Sequence, residues 1–377
     1  MLKILVVFGT RPEAIKMAPV ILALKQQQGI ETIVCVTAQH REMLDSALDV
    51  FDLRADYDLD IMRPGQTLES MTSSVLSGLS NLIRAIRPDR VLIHGDTTTA
   101  FGAAVASFYC GVPVGHVEAG LRTGNLQAPW PEEFNRRAVD LIADLLWAPT
   151  DAAAAALSRE GCISENIVVT GNTVIDALQL VRTRIESDAA LHHSIWKELP
   201  RFSESKHLIL VTGHRRESFG GGLANICQAL NRLAIRKDVV IVWPVHPNPN
   251  VLQSVQSNLE QHPNIYLIEP QNYLSFVALM IRSRVIITDS GGIQEEAPAI
   301  GRPVLVTRDE TERPEAISAG TARLVGTNIE HIINATNELL DEQAAYDLMS
   351  KAHNPFGDGS AASRIVKSIM LRHGVET

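Results

Sequence analysis

Cysteine is scarce in this 377-residue chain. Cys35, Cys110, Cys162 and Cys227 lie far apart without a CxxC pair, which argues against both a disulfide scaffold and a zinc site. No apolar run approaches the roughly 18 residues needed to span a bilayer. The opening run Leu2-Lys3-Ile4-Leu5-Val6-Val7-Phe8 is too short for a signal-peptide core and passes directly into Arg11 and Glu13, so it reads as a first strand. Basic charge is also short: 34 Lys and Arg against 43 Asp and Glu leave a net charge of -9. With the acids scattered among the bases, no cationic field exists to hold a polynucleotide or an anionic membrane. GxGxxG, Walker A, HExxH and GxSxG patterns are missing, and the twelve histidines form no metal-ligand spacing. The expectation is a cytoplasmic protein with no nucleic-acid or membrane partner, no nicotinamide cofactor and no metal.

What is present is an ordinary globular balance, 45% hydrophobic and 20% charged, at a length that suits two domains of roughly 170 to 190 residues. Short β-branched runs at 4–8, 32–36, 91–94, 114–117 and 145–148 read as buried strands, and stretches with helical spacing at 14–27, 68–86 and 98–109 lie between them. Pro19 inside the first of these predicts a kink or a delayed start. Alternating strands and helices predict a parallel, doubly wound sheet. The second half repeats the scheme with strands at 208–212, 239–243, 265–268, 285–288 and 304–307. The fold class is therefore α/β, two Rossmann-like doubly wound domains facing a central cleft, with the seam between Thr170 and Lys206. Ligands in open α/β sheets sit beyond the carboxyl ends of the strands, so the strand-end motifs carry the functional reading.

Strand one ends in Gly9-Thr10-Arg11-Pro12-Glu13 with Lys16 a turn further on. Arg11 stands where a phosphate can be met, although a capped helix start with solvated charges explains the motif equally well. Two further strands end in Gly95-Asp96-Thr97 and Glu118-Ala119-Gly120-Leu121-Arg122. Asp96 alone reads as a helix N-cap. Glu118 follows a buried strand and needs a partner, for which Arg122 or Arg11 is the candidate. Glu132, in Pro129-Trp130-Pro131-Glu132, alone reads as a dipole-compensating acid. Together with Asp96 and Glu118 it makes a set of carboxylates suited to proton transfer.

In the second domain the strand ending at Thr212 runs into Gly213-His214-Arg215-Arg216, which places His214 to meet anionic oxygens. Asp289-Ser290-Gly291-Gly292-Ile293-Gln294-Glu295-Glu296 puts glycines between a strand and a helix, as a diphosphate cradle at a positive helix end does. Glu296 suits ribose hydroxyls, and Arg313 offers a further cation or a solvated surface charge.

These motifs, read together with Phe8–Ala14 and His116–Arg122, closely resemble those of the bacterial non-hydrolysing UDP-N-acetylglucosamine 2-epimerases over almost the whole chain. The resemblance implies a GT-B type architecture. One Rossmann-like domain spans 1–170, carries the sugar and catalytic acids and is completed by the C-terminal helix 360–377; the other, 171–359, binds UDP. Reversible interconversion of UDP-N-acetylglucosamine and UDP-N-acetylmannosamine is implied, with a homodimeric state and N-acetylmannosamine units supplied for cell-surface polysaccharide. Implied catalytic residues are Asp96, Glu118, Glu132 and His214. Ser290, Gly291 and Gly292 match the diphosphate contacts, Glu296 the ribose contact and the Gln271 to Phe276 segment the uracil contact, with Arg11, Lys16 and Arg313 around phosphates and sugar. Some relatives of this kind bind a second UDP-N-acetylglucosamine as activator, for which Gln39 and His40 are candidates. A GT-B glycosyltransferase and a hydrolysing epimerase share much of this pattern and are the alternatives.

Overall fold

The computed structural model describes residues 1–37, 41–63, 65–213 and 221–375. The chain divides into two compact units, Met1–Leu180 with Phe356–Thr377, and Val181–Pro355.

In the first unit the order is β1 (Leu2–Phe8), α1 (Arg11–Lys25), β2 (Ile30–Val36), α2 (Arg41–Val50), β3 (Tyr57–Asp58), α3 (Leu68–Ile86), β4 (Arg90–His94), α4 (Thr98–Tyr109), β5 (Val114–Val117), α5 (Glu132–Ile142), β6 (Leu145–Ala148), α6 (Asp151–Arg159), β7 (Ile167–Val169) and α7 (Thr173–Ser187). The division between the units falls inside α7. Among the described residues the seven strands form one sheet in the order β3-β2-β1-β4-β5-β6-β7, every pair parallel. Strands covered on both faces need continuous apolar runs, and Ile4 to Phe8, Val91 to Ile93 and Leu145 to Ala148 are all buried.

The second unit holds α8 (Ala189–Glu198), β8 (His207–Thr212), α9 (Gly221–Ala234), β9 (Val239–Pro244), α10 (Pro249–Asn258), β10 (Ile265–Ile268), α11 (Tyr273–Arg282), β11 (Ser283–Thr288), α12 (Gly291–Ala299), β12 (Val304–Val306), α13 (Pro314–Ser318), β13 (Ala322–Leu324), α14 (Ile329–Asp341) and α15 (Gln343–Ser350). Its parallel sheet runs β10-β9-β8-β11-β12-β13. Each unit therefore has its own doubly wound sheet and its own core, as the strand–helix alternation predicts.

After β13 and its helices the chain returns to the first unit as α16 (Ala361–His373). Asp176 on α7 accepts from the backbone N–H groups of Ala361 and Ala362 at 3.2 and 2.8 Å, satisfying donors that a helix start leaves open. Trp147 Nε1 donates to Ser368 at 2.7 Å and fixes the same helix against β6.

One expectation fails. Helix α1 runs unbroken from Arg11 through Pro19 to Lys25. Proline removes one intrahelical hydrogen bond, but Ile15, Met17, Ala18, Val20, Ile21 and Leu24 around it are all buried, and packing on nearly every side of the helix outweighs that loss. Cys35 and Cys227 are buried, with thiol pKa values pushed up to about 12 chiefly by burial, and all four cysteines are free. Among the described residues no helix is long and apolar enough to cross a membrane.

Candidate active site

In a doubly wound sheet the strand order reverses at one point, where successive loops leave in opposite directions and open a crevice for ligand. In the first unit the reversal lies between β1 and β4, so the turns Gly9-Thr10 and Gly95-Asp96 flank it. In the second it lies between β8 and β11, flanked by Gly213 and by Asp289-Ser290-Gly291. Sequence motifs and sheet topology thus choose the same turns.

Glu118, directly after β5, has φ +68, a left-handed conformation that side-chain-bearing residues seldom adopt. Strain of this kind costs of order 1–3 kcal/mol and persists only where the surroundings over-determine it, most often at functional sites. Its carboxylate is held from several sides: Lys16 of α1 is ion-paired with Oε1, Asn172 Nδ2 donates to the same oxygen at 2.7 Å, and His94 Nε2 lies 3.2 Å from Oε2. The expected partners are therefore replaced. Arg122 bonds instead to Asp140 and Glu160, because the left-handed turn aims Glu118 at the β1–β4 side of the sheet. His94, buried at the end of β4, is kept neutral: burial lowers its pKa to about 3, against the opposing pull of the Glu118 charge. Its Nδ1 has no hydrogen-bond partner among the described residues.

Asp96 is not the helix cap. Thr97 is, accepting from the Ala100 N–H at 3.1 Å and donating to Glu13 Oε1 at 2.7 Å. Glu13 is a buried structural acid whose other oxygen takes the N–H groups of Gly9 and Thr10 at 3.0 and 2.8 Å. This capping arrangement locks the β1 turn to the β4 turn. Asp96 is left to pair with Arg136 of α5, and Asn135 Nδ2 donates to the Asp96 carbonyl at 2.9 Å. Glu132 opens α5 one turn before Arg136, half-buried, and it has no side-chain partner among the described residues. Its neighbour Glu133 is wholly buried and accepts from the Thr123 and Gly124 N–H groups at 3.0 and 3.1 Å. Asp96, Glu118 and Glu132 thus belong to one unit and to elements bonded to each other, while Arg11 is half-buried at the first position of α1.

In the second unit Ser290 is the N-cap residue of α12 without a side-chain bond to it, so the first-turn N–H groups at Gly291 and Gly292 are available to an anion. Thr288 Oγ1 accepts from Ser290 N–H at 2.9 Å and bonds Thr212 Oγ1 at 2.6 Å, tying this turn to the end of β8. Gln294 spans the turn from Ser290 O at 3.1 Å to Thr311 Oγ1 at 2.6 Å. Arg313 is not a solvated surface charge: it is ion-paired with buried Glu295. Glu296 accepts from Tyr273 Oη at 2.8 Å. Tyr273 lies between Gln271 and Phe276, both half-buried, and so links the segment expected at uracil to the acid expected at ribose. His214, Gln39 and His40 lie outside the described residues.

Sequence reasoning missed His94, Asn172 and Arg136, which hold Glu118 or Asp96 directly from distant parts of the chain, and the His116–Asp140 pair, which bonds the Gly95 and Gly120 turns rather than a candidate residue; Tyr273, bonded to Glu296, lies inside the expected 271–276 segment but was not singled out. Only His94, immediately before the Gly95-Asp96 turn, sits where a strand-end reading looks. Among the described residues no group of three or more His, Cys, Asp or Glu side chains is arranged to hold a metal ion.

Comparison with known proteins agrees over the chain's length. A family model described as UDP-N-acetylglucosamine 2-epimerase matches residues 22–370. The UDP-N-acetylglucosamine 2-epimerases of Yersinia pestis and Escherichia coli K12 are 54% and 52% identical over 369 residues, spanning 98% of this chain and 98% of each relative. The crystal structure of UDP-GlcNAc 2-epimerase from Neisseria meningitidis bound to UDP-GlcNAc is 47% identical and superposes with a TM-score of 0.89, covering 98% of this chain and 100% of that one.

Proposed function

Because this chain belongs to the UDP-N-acetylglucosamine 2-epimerase family, we propose that it interconverts UDP-N-acetylglucosamine and UDP-N-acetylmannosamine without releasing free sugar. The observation that carries the chemical reading is Glu118, a carboxylate held in a strained backbone conformation between Lys16, Asn172 and neutral His94. Left-handed conformations of non-glycine residues cluster at active sites, and at Glu118 this one comes with a buried carboxylate gripped from several elements.

The C2 proton of the sugar is not next to a carbonyl, so it cannot simply be removed and returned. Elimination makes it removable. A carboxylate takes the C2 proton, the C2–H electron pair becomes the C1=C2 double bond, and the C1–O bond breaks as UDP departs. Re-addition of UDP at C1 with a proton delivered to the other face of C2 gives the epimer. Asp96, Glu118 and Glu132 are the proton-transfer groups of this proposal. Ser290, Gly291 and Gly292 hold the diphosphate at the α12 N-terminus and stabilise the charge it gains as it leaves. Arg313, steadied by Glu295, adds a cation, while Glu296 with Tyr273 binds ribose and the Gln271 to Phe276 segment binds uracil. Arg11 and His214 complete the anion contacts. Lys16 acts through Glu118, a role the ion pair supports better than a direct phosphate contact.

The protein is proposed to work in the cytoplasm, supplying N-acetylmannosamine units to surface polysaccharide, and as a homodimer. Exposed apolar side chains on adjoining helices support the dimer: Phe108 and Tyr109 at the end of α4 are 64% and 68% exposed, and Phe134 and Leu141 of α5 are 50% and 81% exposed. A second copy would cover them, and Leu141→Glu should shift the mass in solution toward a monomer. A second substrate molecule bound at Gln39 and His40 is the proposed activator; hyperbolic kinetics with one binding event would contradict it.

The activity is tested by incubating the purified protein with UDP-N-acetylglucosamine alone. Appearance of UDP-N-acetylmannosamine without an acceptor is expected. Free N-acetylmannosamine with UDP would identify a hydrolysing enzyme instead, and an unchanged substrate would overturn the reading.

A further inference from the structure

One buried side-chain pair grips both acid-bearing turns of the first unit. His116 lies in β5, wholly buried, two residues before Glu118. Its Nε2 donates to the carbonyl of Gly95, the residue before Asp96, at 2.8 Å. A carbonyl only accepts, so this nitrogen must carry a hydrogen. Its Nδ1 lies 2.6 Å from Asp140 Oδ1 on α5. The other Asp140 oxygen accepts from the Gly120 N–H at 3.3 Å and from Arg122 at 2.7 Å. Arg122 is held in turn by both oxygens of Glu160.

Gly95, Glu118 and Gly120 have φ of +64, +68 and +87. The two turns thus hold three left-handed residues, and the His116–Asp140 pair is bonded to the first and the last of them. Helix α5, which supplies Asp140, also carries Arg136 against Asp96 and Glu132 at its start. Burial opposes the charge on Asp140, but His116 and Arg122 outweigh it and keep the carboxyl below its usual range. A buried ionic chain of this kind adds little net stability over apolar residues of the same volume. Its value lies in fixing geometry.

We propose that His116 and Asp140 are positioning residues that set the carboxylates of Asp96 and Glu118 in register with Glu132, an inference that rests on the proton-transfer reading of these acids. Neither side chain touches substrate in this assignment; they act through the Gly95 and Gly120 turns.

His116→Phe keeps an aromatic ring, somewhat larger than imidazole, and removes both bonds. Its kcat should fall about 100-fold, the cost of misplacing reacting groups by roughly 1 Å, while KM for UDP-N-acetylglucosamine stays within about threefold, since the nucleotide contacts are untouched. UDP lost per epimerisation should rise, because a misplaced acid re-protonates slowly and lets the unsaturated sugar escape. That ratio does not depend on how much of the preparation is folded. Asp140→Asn is isosteric and can keep both bonds as weaker neutral ones, so a smaller loss, about tenfold in kcat, is expected from it. If His116→Phe does not fold, Asp140→Asn decides the matter alone. Turnover per folded molecule within about twofold of the parent, or a loss confined to KM, overturns the assignment. The parent is assayed alongside: its failure to epimerise would refute the proposed function, whereas the variant-to-parent ratio tests the positioning role.

Discussion

His94 Nε2 stands 3.2 Å from Glu118 Oε2 although the histidine is kept neutral down to about pH 3 by its burial. The consequence is a pH dependence of stability. In the unfolded chain His94 takes up a proton below its ordinary pKa of 6.5, whereas the folded protein does not do so until about 3. The unfolded state therefore binds more protons throughout that window, and stability falls as pH drops from 6.5 toward 3. The slope from one such group is at most about 1.4 kcal/mol per pH unit. His94→Gln should flatten the decline by one proton's worth, measured as ΔG of urea unfolding at pH 7, 6, 5 and 4. An unchanged slope in the variant would show that His94 is not the responsible group.

Backbone strain at Glu118 makes a second prediction whose sign is unusual. Replacing glycine by alanine normally stabilises a protein by about 0.4–1 kcal/mol through the unfolded chain. At φ +68 the order should reverse, since a Cβ in the left-handed region costs about 1–2 kcal/mol. Glu118→Gly should therefore be more stable than Glu118→Ala by about 1 kcal/mol, with both variants lacking the carboxylate and epimerase activity. Thermal denaturation of the pair is the measurement, and an alanine variant that is the more stable would refute the strain.

Gly292 separates folding from binding. A Cβ built there meets nothing nearer than Glu296 Oε2 at 3.8 Å and Ser290 Oγ at 3.9 Å, both at the ends of side chains. Gly292→Ala should fold with an undiminished Tm, since alanine favours the helix. Yet the methyl group stands where a diphosphate must approach the backbone, so UDP should bind at least about tenfold more weakly, or about 1.4 kcal/mol. Calorimetric titration with UDP decides. Equal affinity would place the diphosphate elsewhere.

The inner strands were legible because they are buried on both faces, which forces continuous apolar runs such as Ile4–Phe8 and Val285–Ile287, whereas the short, partly exposed edge strands β3, β7 and β13 lack such runs and were not read. The helices at 68–86 and 98–109 were legible from their spacing, and the glycines before Asp96 and after Ser290 marked the turns that flank the strand-order reversal of each sheet. Pro19 misled because local propensity is overruled where a helix is buried nearly all round. The pairing of Glu118 was illegible for a different reason: His-Val-Glu-Ala-Gly does not reveal a left-handed glutamate, and that one torsion turns the carboxylate from Arg122 toward Lys16, 102 residues away. The His116–Asp140 and Tyr273–Glu296 contacts are likewise products of the fold, joining residues 24 and 23 positions apart that no local spacing couples.

Carboxylates are proposed to remove the C2 proton as UDP leaves C1. Proton NMR of UDP-N-acetylglucosamine incubated with the protein in heavy water follows that step at the reacting carbon. UDP-N-acetylmannosamine should appear with deuterium at C2, and Asp96→Asn, Glu118→Gln and Glu132→Gln should each slow this exchange by about 100-fold or more. Epimerised product that retains its original C2 proton, or near-normal turnover in all three amide variants, would contradict it.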